Sequence, residues 1–313
     1  MCGEEFPEVR NAIAAEIPGV EFVIIPGDRS QLGQRKVDVL VPLGGVVDAA
    51  LLDATRPALV QQFGVGLQGV DLDAARQRGI PVANISSAQT GNAIAVAEAA
   101  IMHLLLLLRH FPRLQHSVAS GVVGQPIGTM LAGRTVTVLG TGAVGEALIT
   151  RLAALGVTSL GVARRPYAEL AQSLRSLLTP ERYFPMSQFA SALAGAAALV
   201  VAVPLTEQTR GIIGAQALAA MHPGGYLVNM GRGPVVDYDA LLAALKRGHL
   251  AGAGLDVTWS EPVDPADELL RHNVIVTPHI GGVTVESYGL MAAAFAGNVA
   301  RLKAGDALAN TVS

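Results

Sequence analysis

Apolar and polar positions along the chain fall into two recurring patterns. Short runs rich in Val, Ile, Leu and Thr read as strands, and stretches with apolar residues three and four apart read as helices. The pattern predicts a helix over Pro7 to Glu16 and strands over Val20 to Ile25 and Val37 to Val41. A helix over Asp48 to Leu52, a strand over Leu59 to Phe63, a short helix over Asp71 to Arg78 and a strand over Pro81 to Ile85 follow. Thr90 to His110 reads as one long helix, with Arg109 and His110 at its end suiting the negative end of the helix dipole. It is expected to bridge into a second domain.

The second half repeats the alternation. Strands are predicted over Thr135 to Leu139, Val157 to Val162, Ala198 to Val203, Gly225 to Asn229, Leu250 to Val257 and Val274 to Thr277. Helices are predicted over Ala143 to Leu155, from a cap at Asp237 to Arg247, and over Thr284 to Lys303. Strands alternating with helices imply an α/β fold with parallel sheets. The chain opens at Met1-Cys2-Gly3 with no apolar strand ahead of its first helix. The first strand of an open α/β unit is therefore expected to be shortened or missing.

Composition narrows the class. The chain has 313 residues, enough for two domains each with its own core. Hydrophobic residues are 51% and charged residues 15%, which favours an oligomer over a free monomer. A net charge of −3 provides no footprint for nucleic acid and no polybasic membrane patch. The one cysteine, Cys2, excludes an internal disulfide framework and suits a reducing compartment. No basic segment followed by an apolar core opens the chain, so no secretion signal is expected. The longest apolar run, Ala93 to Leu108, is interrupted by Glu98 and His103 and is short for a bilayer span. A cytoplasmic protein is expected, with no membrane or nucleic-acid partner and no metal.

Candidate chemistry begins at Gly140-Thr141-Gly142-Ala143-Val144-Gly145, a G-x-G-x-x-G set between a strand and a helix. Gly140 permits the tight turn, Gly142 lets backbone approach a pyrophosphate, and Gly145 lets the helix pack closely on the strand. The pyrophosphate of a dinucleotide would sit on the positive end of the helix. After the next strand stands Ala163-Arg164-Arg165-Pro166, where a ribose-binding acid is expected in an NAD site. Arg164 and Arg165 would attract a phosphate, so NADP fits better than NAD, which stays the second option; a solvated pair of surface charges is the plain alternative. Gly64-Val65-Gly66-Leu67-Gln68-Gly69 also follows a strand. It reads either as an ordinary glycine turn or as a nest of amides for a carboxylate.

Arg232, Glu261 and His279 stand after three consecutive predicted strands. The C-terminal ends of parallel strands line the ligand crevice, so the three are expected to converge. Each alone has a structural explanation: a surface arginine, a turn carboxylate before proline, a satisfied histidine in a tight loop. Together around a dinucleotide fold they match the reduction of a 2-keto acid, in which a hydride reaches the carbonyl carbon and a proton its oxygen. His279 can supply that proton, Glu261 can orient its ring, and Arg232 can polarise the carbonyl and clamp a carboxylate.

The chain resembles the D-isomer-specific 2-hydroxyacid dehydrogenases along essentially its whole length. The matching residues are Gly64-Val65-Gly66, Gly140 to Gly145, Asn229-Met230-Gly231-Arg232-Gly233, Gly254-Leu255-Asp256-Val257 with Glu261-Pro262, and Thr277 to Gly282. The resemblance implies two domains, each an open parallel sheet with flanking helices. These are a Rossmann cofactor domain over 93–282 and a smaller flavodoxin-like substrate domain over 1–92 with 283–313. It implies a catalytic Arg232–Glu261–His279 set and amides of Val65 and Gly66 holding the substrate carboxylate. Asp256 is expected at the nicotinamide carboxamide. Val96, Val203, Pro204, Thr209, Met230, Gly231, Gly281 and Gly282 are expected beside the dinucleotide, and the long helix near residue 100 is expected to build a homodimer. The arginine pair resembles NADPH-dependent glyoxylate or hydroxypyruvate reductases. Ala99 and Tyr288 depart from a common histidine and arginine. Gln68 and Glu261 disfavour a phosphite or formate dehydrogenase. The alternatives are an NAD-dependent dehydrogenase of larger D-2-hydroxy acids, including a phosphoglycerate type, and a non-catalytic dinucleotide-sensing protein.

Overall fold

The computed structural model describes residues 6–25, 36–43 and 45–312. The chain divides into two compact units, Met1–Asn92 with Val283–Ser313, and Ala93–Gly282. The Met1-Cys2-Gly3 opening, on which the expectation of a shortened first strand rests, lies outside the described residues.

The first unit starts with α1 (Pro7–Glu16), whose Val9 and Ile13 are buried. Val20 to Ile25, expected as a strand, is irregular chain with a single bridge at Ile25. Its apolar pattern has a different cause: Phe22 and Ile24 pack against the cluster of Val9, Ile13, Val41 and Ile85. Then come β1 (Val39–Leu40), α2 (Ala49–Thr55), β2 (Leu59–Gln61), α3 (Leu72–Gln77) and β3 (Val82–Ala83). The strands form a parallel sheet in the order β1-β2-β3. Asp48 and Asp71 cap the two helices by accepting from the amides of Leu51 and Ala74 at 2.9 and 2.8 Å.

The second unit opens with α4 (Asn92–Leu108) and α5 (Phe111–Ala119). The helix expected from Thr90 to His110 is α4, and α5, which the apolar pattern did not predict, follows it at an angle of 57°. Pro112 explains the break, because it has no amide to give and its ring would collide with the carbonyl of Leu108. His110 takes a left-handed conformation at φ 54° to make the corner. Among the described residues no single helix is long and apolar enough to cross a membrane.

The rest of the unit is β4 (Thr135–Leu139), α6 (Ala143–Ala154), β5 (Thr158–Ala163), α7 (Gln172–Arg175), β6 (Tyr183–Pro185), α8 (Phe189–Leu193) and β7 (Ala198–Val201). It continues with α9 (Ala215–Ala220), β8 (Gly225–Asn229), α10 (Tyr238–Lys246), β9 (Leu250–Leu255) and β10 (Val274–Val276). All seven strands are parallel, in the order β10-β9-β8-β7-β4-β5-β6. Alternate residues of each strand face opposite sides. Leu139, Leu199, Leu227 and Leu255 join one core cluster, while Val136, Val138, Val200 and Val228 join another with Leu104 and Leu107 of α4. Burial on both faces is why these strands read as continuous apolar runs. The strand order reverses between β4 and β7, the switch point at which such sheets bind ligands.

Helix α11 (Val285–Ala304) returns the chain to the first unit. Thr284 caps it and Gly305 ends it at φ 74°. Its Met291, Ala292 and Phe295 pack on Val9 and Ile13. Tyr288 stands edge-on to Phe63 with ring centres 5.5 Å apart, so this departure from the usual arginine is a packing residue.

Candidate active site

Three turns at the ends of β8, β9 and β10 carry Arg232, Glu261 and His279. Strand β8 ends in Asn229, a fully buried polar residue after Tyr226, Leu227 and Val228. Its side chain folds the turn that follows, accepting from the Gly231 amide and donating to the Arg232 carbonyl, each at 3.0 Å. Neither glycine here admits a side chain. A Cβ on Gly231 would lie 2.5 Å from the Val203 carbonyl oxygen, and one on Gly233 would run into the Thr258 carbonyl. The turn is therefore wedged between those after β7 and β9. Arg232 leaves it half-buried, with Nη1 donating to the Gly231 carbonyl at 2.7 Å. Burial pulls its guanidinium below the usual value, while the charges of Glu261 and Asp256 oppose that shift.

The turn after β9 is pinned by Trp259, whose Nε1 donates to the Val236 carbonyl at 2.8 Å and whose ring meets Tyr238 edge-on. Glu261 follows. Its Oε1 accepts from the Thr258 amide at 3.2 Å, and its Oε2 lies 2.8 Å from Nδ1 of His279. Burial acts to raise the Glu261 carboxyl, but His279, the Thr258 amide and the Arg232 charge together hold it below the usual carboxylate value.

His279 itself has a left-handed backbone, φ 55°. Asp256 makes that conformation tenable. Its carbonyl accepts from the His279 amide at 2.9 Å, and its carboxylate accepts from the amides of Ile280 and Gly281 at 2.9 and 2.8 Å. Asp256 is 3% exposed. The sequence pointed to it as a ligand of the carboxamide, and the structure adds that its carboxylate oxygens already hold the His279 turn.

The glycine loop after β4 is held by close backbone contacts. Gly140 has φ 101° and its Cβ position is filled by the Ala202 carbonyl, while a Cβ on Gly145 would strike the Gly140 carbonyl. Gly142, by contrast, faces open space. The Gly140 amide donates to the Val162 carbonyl and that of Glu146 to the Gly142 carbonyl, while those of Ala143, Val144 and Gly145 have no acceptor among the described residues. The buried Thr141 hydroxyl also has no partner among the described residues. Unclaimed donors around an open glycine at a helix N-terminus fit a dinucleotide pyrophosphate.

The other expected cofactor residues belong to the same unit. Arg164 and Arg165 are both exposed after β5, and Nη2 of Arg165 donates to the Thr141 carbonyl at 2.7 Å, so the two arginines are not equivalent. Thr209 is turned inward on its own turn, donating to the Pro204 carbonyl at 2.7 Å and accepting from the Thr206 amide at 2.7 Å. Val203 packs on one core cluster, and Val96 and Met230 belong to the other. Gly281 abuts the Asp256 carboxylate, and Gly282 follows it half-buried. Among the described residues no cluster of His, Cys, Asp and Glu could hold a metal ion.

In the first unit, the turn after β2 has its carbonyls drawn back into the protein. Gly64 accepts from the Ile85 amide at 2.8 Å, Val65 from Asn84 Nδ2 at 3.0 Å and Gly66 from Gln62 Nε2 at 2.6 Å. The Val65 and Gly66 amides have no acceptor among the described residues, as a nest for an anion requires. Gln62 and Asn84 went unnoticed in the sequence. The signal for Gln62 was a polar residue inside an apolar strand.

Residues 101–281 match the family described as D-isomer specific 2-hydroxyacid dehydrogenase, NAD binding domain. The chain belongs to the D-isomer specific 2-hydroxyacid dehydrogenases. It is 34% identical over 256 residues to glyoxylate/hydroxypyruvate reductase A of Arabidopsis thaliana, covering 80% of this chain and 77% of that protein. It is 32% identical over 282 residues to the D-3-phosphoglycerate dehydrogenase of Archaeoglobus fulgidus, covering 89% of this chain and 48% of that one. Among solved structures, the NADPH-dependent glyoxylate/hydroxypyruvate reductase of Sinorhizobium meliloti, in complex with NADP and malonate, superposes with a TM-score of 0.80. It is 30% identical, with 97% of this chain and 93% of that chain covered. The family is one of NAD(P)-dependent oxidoreductases acting on D-2-hydroxy acids. The α/β architecture read from the sequence is that of these relatives.

Proposed function

We propose that this dehydrogenase reduces a small 2-keto acid, glyoxylate or hydroxypyruvate, to the D-2-hydroxy acid with NADPH. The observation that carries the reading is the 2.8 Å pairing of His279 with Glu261, beside a half-buried Arg232. The arginine pair after β5, with no acid there, supports NADPH over NADH. Unit 93–282 is assigned to the cofactor, and unit 1–92 with 283–313 to the substrate.

The unclaimed amides of Ala143, Val144 and Gly145 would hold the pyrophosphate, and Arg164 and Arg165 the 2′-phosphate. Val96, Val203, Pro204, Thr209, Met230, Gly231, Asp256, Gly281 and Gly282 would line the rest. The bound nicotinamide supplies the hydride for the carbonyl carbon. The amides of Val65 and Gly66 hold the substrate carboxylate, and Arg232 draws electron density toward the carbonyl oxygen. His279 gives that oxygen its proton from Nε2, while Nδ1 stays on Glu261, which holds the ring in place. Depressed below the usual range, Glu261 is ionised at neutral pH.

A cytoplasmic homodimer is part of the same reading. Met102, Leu105 and Phe111 are exposed, and a groove of about 610 Å³ beside them is lined also by Ile101 and Leu114. An apolar face of this kind suits a second copy of the chain.

The test is spectrophotometric: purified protein with glyoxylate, hydroxypyruvate or phosphohydroxypyruvate, each with NADPH and with NADH. Turnover of the first two with NADPH supports the reading. Turnover of phosphohydroxypyruvate with NADH alone supports the second reading, favoured by the match to a D-3-phosphoglycerate dehydrogenase. Tight cofactor binding without turnover would make it a dinucleotide-sensing protein.

A further inference from the structure

His103 lies in α4, fully buried, far in sequence from the residues that the reaction uses. Its Nε2 is 2.9 Å from the Thr277 hydroxyl, and that hydroxyl is 2.7 Å from Oδ1 of Asp256. The protons along this line can be assigned. An ionised carboxylate only accepts, so the single Thr277 hydroxyl proton goes to Asp256. Thr277 must then accept from His103, which therefore carries its proton on Nε2. Nδ1 has no partner among the described residues, as befits a nitrogen that bears no proton in a buried site. Burial also pushes the imidazole below its ordinary 6.5, against the opposing charge of Asp256.

The room for this ring is provided by Gly254 on β9. A Cβ there would stand 2.8 Å from Nδ1 and 2.9 Å from the Cβ of His103. At the other end of the line, Asp256 holds the amides of Ile280 and Gly281 and, by its carbonyl, that of His279. One continuous set of hydrogen bonds thus runs from the buried face of α4 to the turn that carries His279.

We propose that His103 and Thr277 are positioning residues. By fixing the direction of the Thr277 proton they keep the Asp256 carboxylate in register with the loop amides, and so keep the His279 ring on Glu261. Without the His103 donor, the Thr277 hydroxyl is free to rotate and Asp256 loses a fixed partner. The loop then samples orientations in which Nε2 of His279 is displaced from the substrate oxygen. This inference rests on the proposed role of His279.

The experiment uses the full chain and the variants Thr277→Val, Thr277→Ser and His103→Leu. Long-range 15N–1H spectra of the cofactor-free protein are expected to show His103 as the neutral Nε2–H form between pH 6 and 8. In Thr277→Val, an isosteric change that cuts both bonds, the His103 Nε2–H resonance should shift or exchange. With NADPH and the best keto acid, kcat of Thr277→Val and His103→Leu should fall about 10- to 100-fold with little change in keto-acid KM. Thr277→Ser, which keeps the hydroxyl, should recover most of that loss. A purely structural role predicts lower Tm without the kcat-specific loss or the serine rescue. Wild-type kcat in Thr277→Val, or His103 protonated on Nδ1, would overturn the proposal. A wild-type enzyme without turnover would sink the assigned reaction instead, and the His103 spectra would still decide the hydrogen-bonded line.

Discussion

Nδ1 of His279 and Oε2 of Glu261 meet at 2.8 Å, and that bond decides which ring nitrogen is left for chemistry. With Nδ1 committed to the carboxylate, Nε2 is the only position from which the ring can pass a proton. The carboxylate in turn is fixed by the Thr258 amide, and that turn by Trp259. The pair is therefore oriented from both sides by groups that do not themselves react.

Replacing Glu261 by Gln keeps the size of the side chain and removes its charge. The ring loses the charged partner that fixes its orientation and tautomer, so kcat should fall about 100-fold. Because His279, the Thr258 amide and Arg232 hold the carboxyl below its usual 4.5, it stays ionised as pH falls to that value and is protonated only beneath it. The pH–rate profile of the wild type should then show no limb above pH 4.5 that belongs to Glu261. A limb near pH 5 to 6 that vanishes in the Gln variant would contradict this.

The two arginines after β5 should separate under mutation. Arg165 is tied to the Thr141 carbonyl of the glycine loop as well as facing the 2′-phosphate in this reading, so Arg165→Ala should weaken both cofactors, NADPH the more. Arg164→Ala should weaken NADPH by about tenfold or more and leave NADH nearly unchanged, since only NADPH carries the 2′-phosphate. Titrations of both cofactors by fluorescence check this, and equal losses in Arg164→Ala would make it a surface charge.

Two alanine substitutions in the glycine loop should diverge. In Gly145→Ala the new methyl meets the Gly140 carbonyl, and helix and strand must part, at a cost of about 1–3 kcal/mol in unfolding free energy. In Gly142→Ala the methyl enters open space, so stability should hold while pyrophosphate binding weakens. Denaturant melts and cofactor titrations distinguish the two.

His103 should leave a mark on stability. Its folded value lies below the 6.5 of the unfolded chain, so between those values the unfolded state binds more protons. Stability is therefore full above about pH 6.5 and declines as pH falls through that window. Thermal melts from pH 7.5 to 5.5 should show this decline in the wild type and a flatter profile in His103→Leu. Parallel profiles would mean that the imidazole titrates normally.

Much of this candidate site is legible in the sequence, because its residues sit at punctuation marks in the pattern. Arg232, Glu261 and His279 each follow an apolar run that reads as a strand, and a glycine or proline stands directly beside each of the three. What sequence did not disclose are partnerships across long separations. His103 and Thr277 are 174 positions apart, and a histidine in an apolar helix reads as filler until its neighbour is known. The same holds for Gln62 and Asn84, which shape the Val65–Gly66 turn by side-chain bonds to backbone. One element was misjudged because period alone cannot tell pairing from packing. Phe22 and Ile24 are apolar for the sake of the α1 and α11 cluster, not for a ladder. The helix expected to run to His110 ends at Leu108; what the pattern did not announce is α5, which starts after it with Pro112 in its first turn.

The most direct trial compares wild type with His279→Ala for keto-acid-dependent oxidation of NADPH, alongside a fluorescence titration of NADPH binding to each. The wild type should turn over glyoxylate or hydroxypyruvate, and the variant should bind NADPH as tightly yet turn over about 100- to 10,000-fold more slowly. Equal turnover by the two proteins would remove His279 as the proton donor. Absence of keto-acid-dependent oxidation in the wild type would contradict the assigned reaction itself.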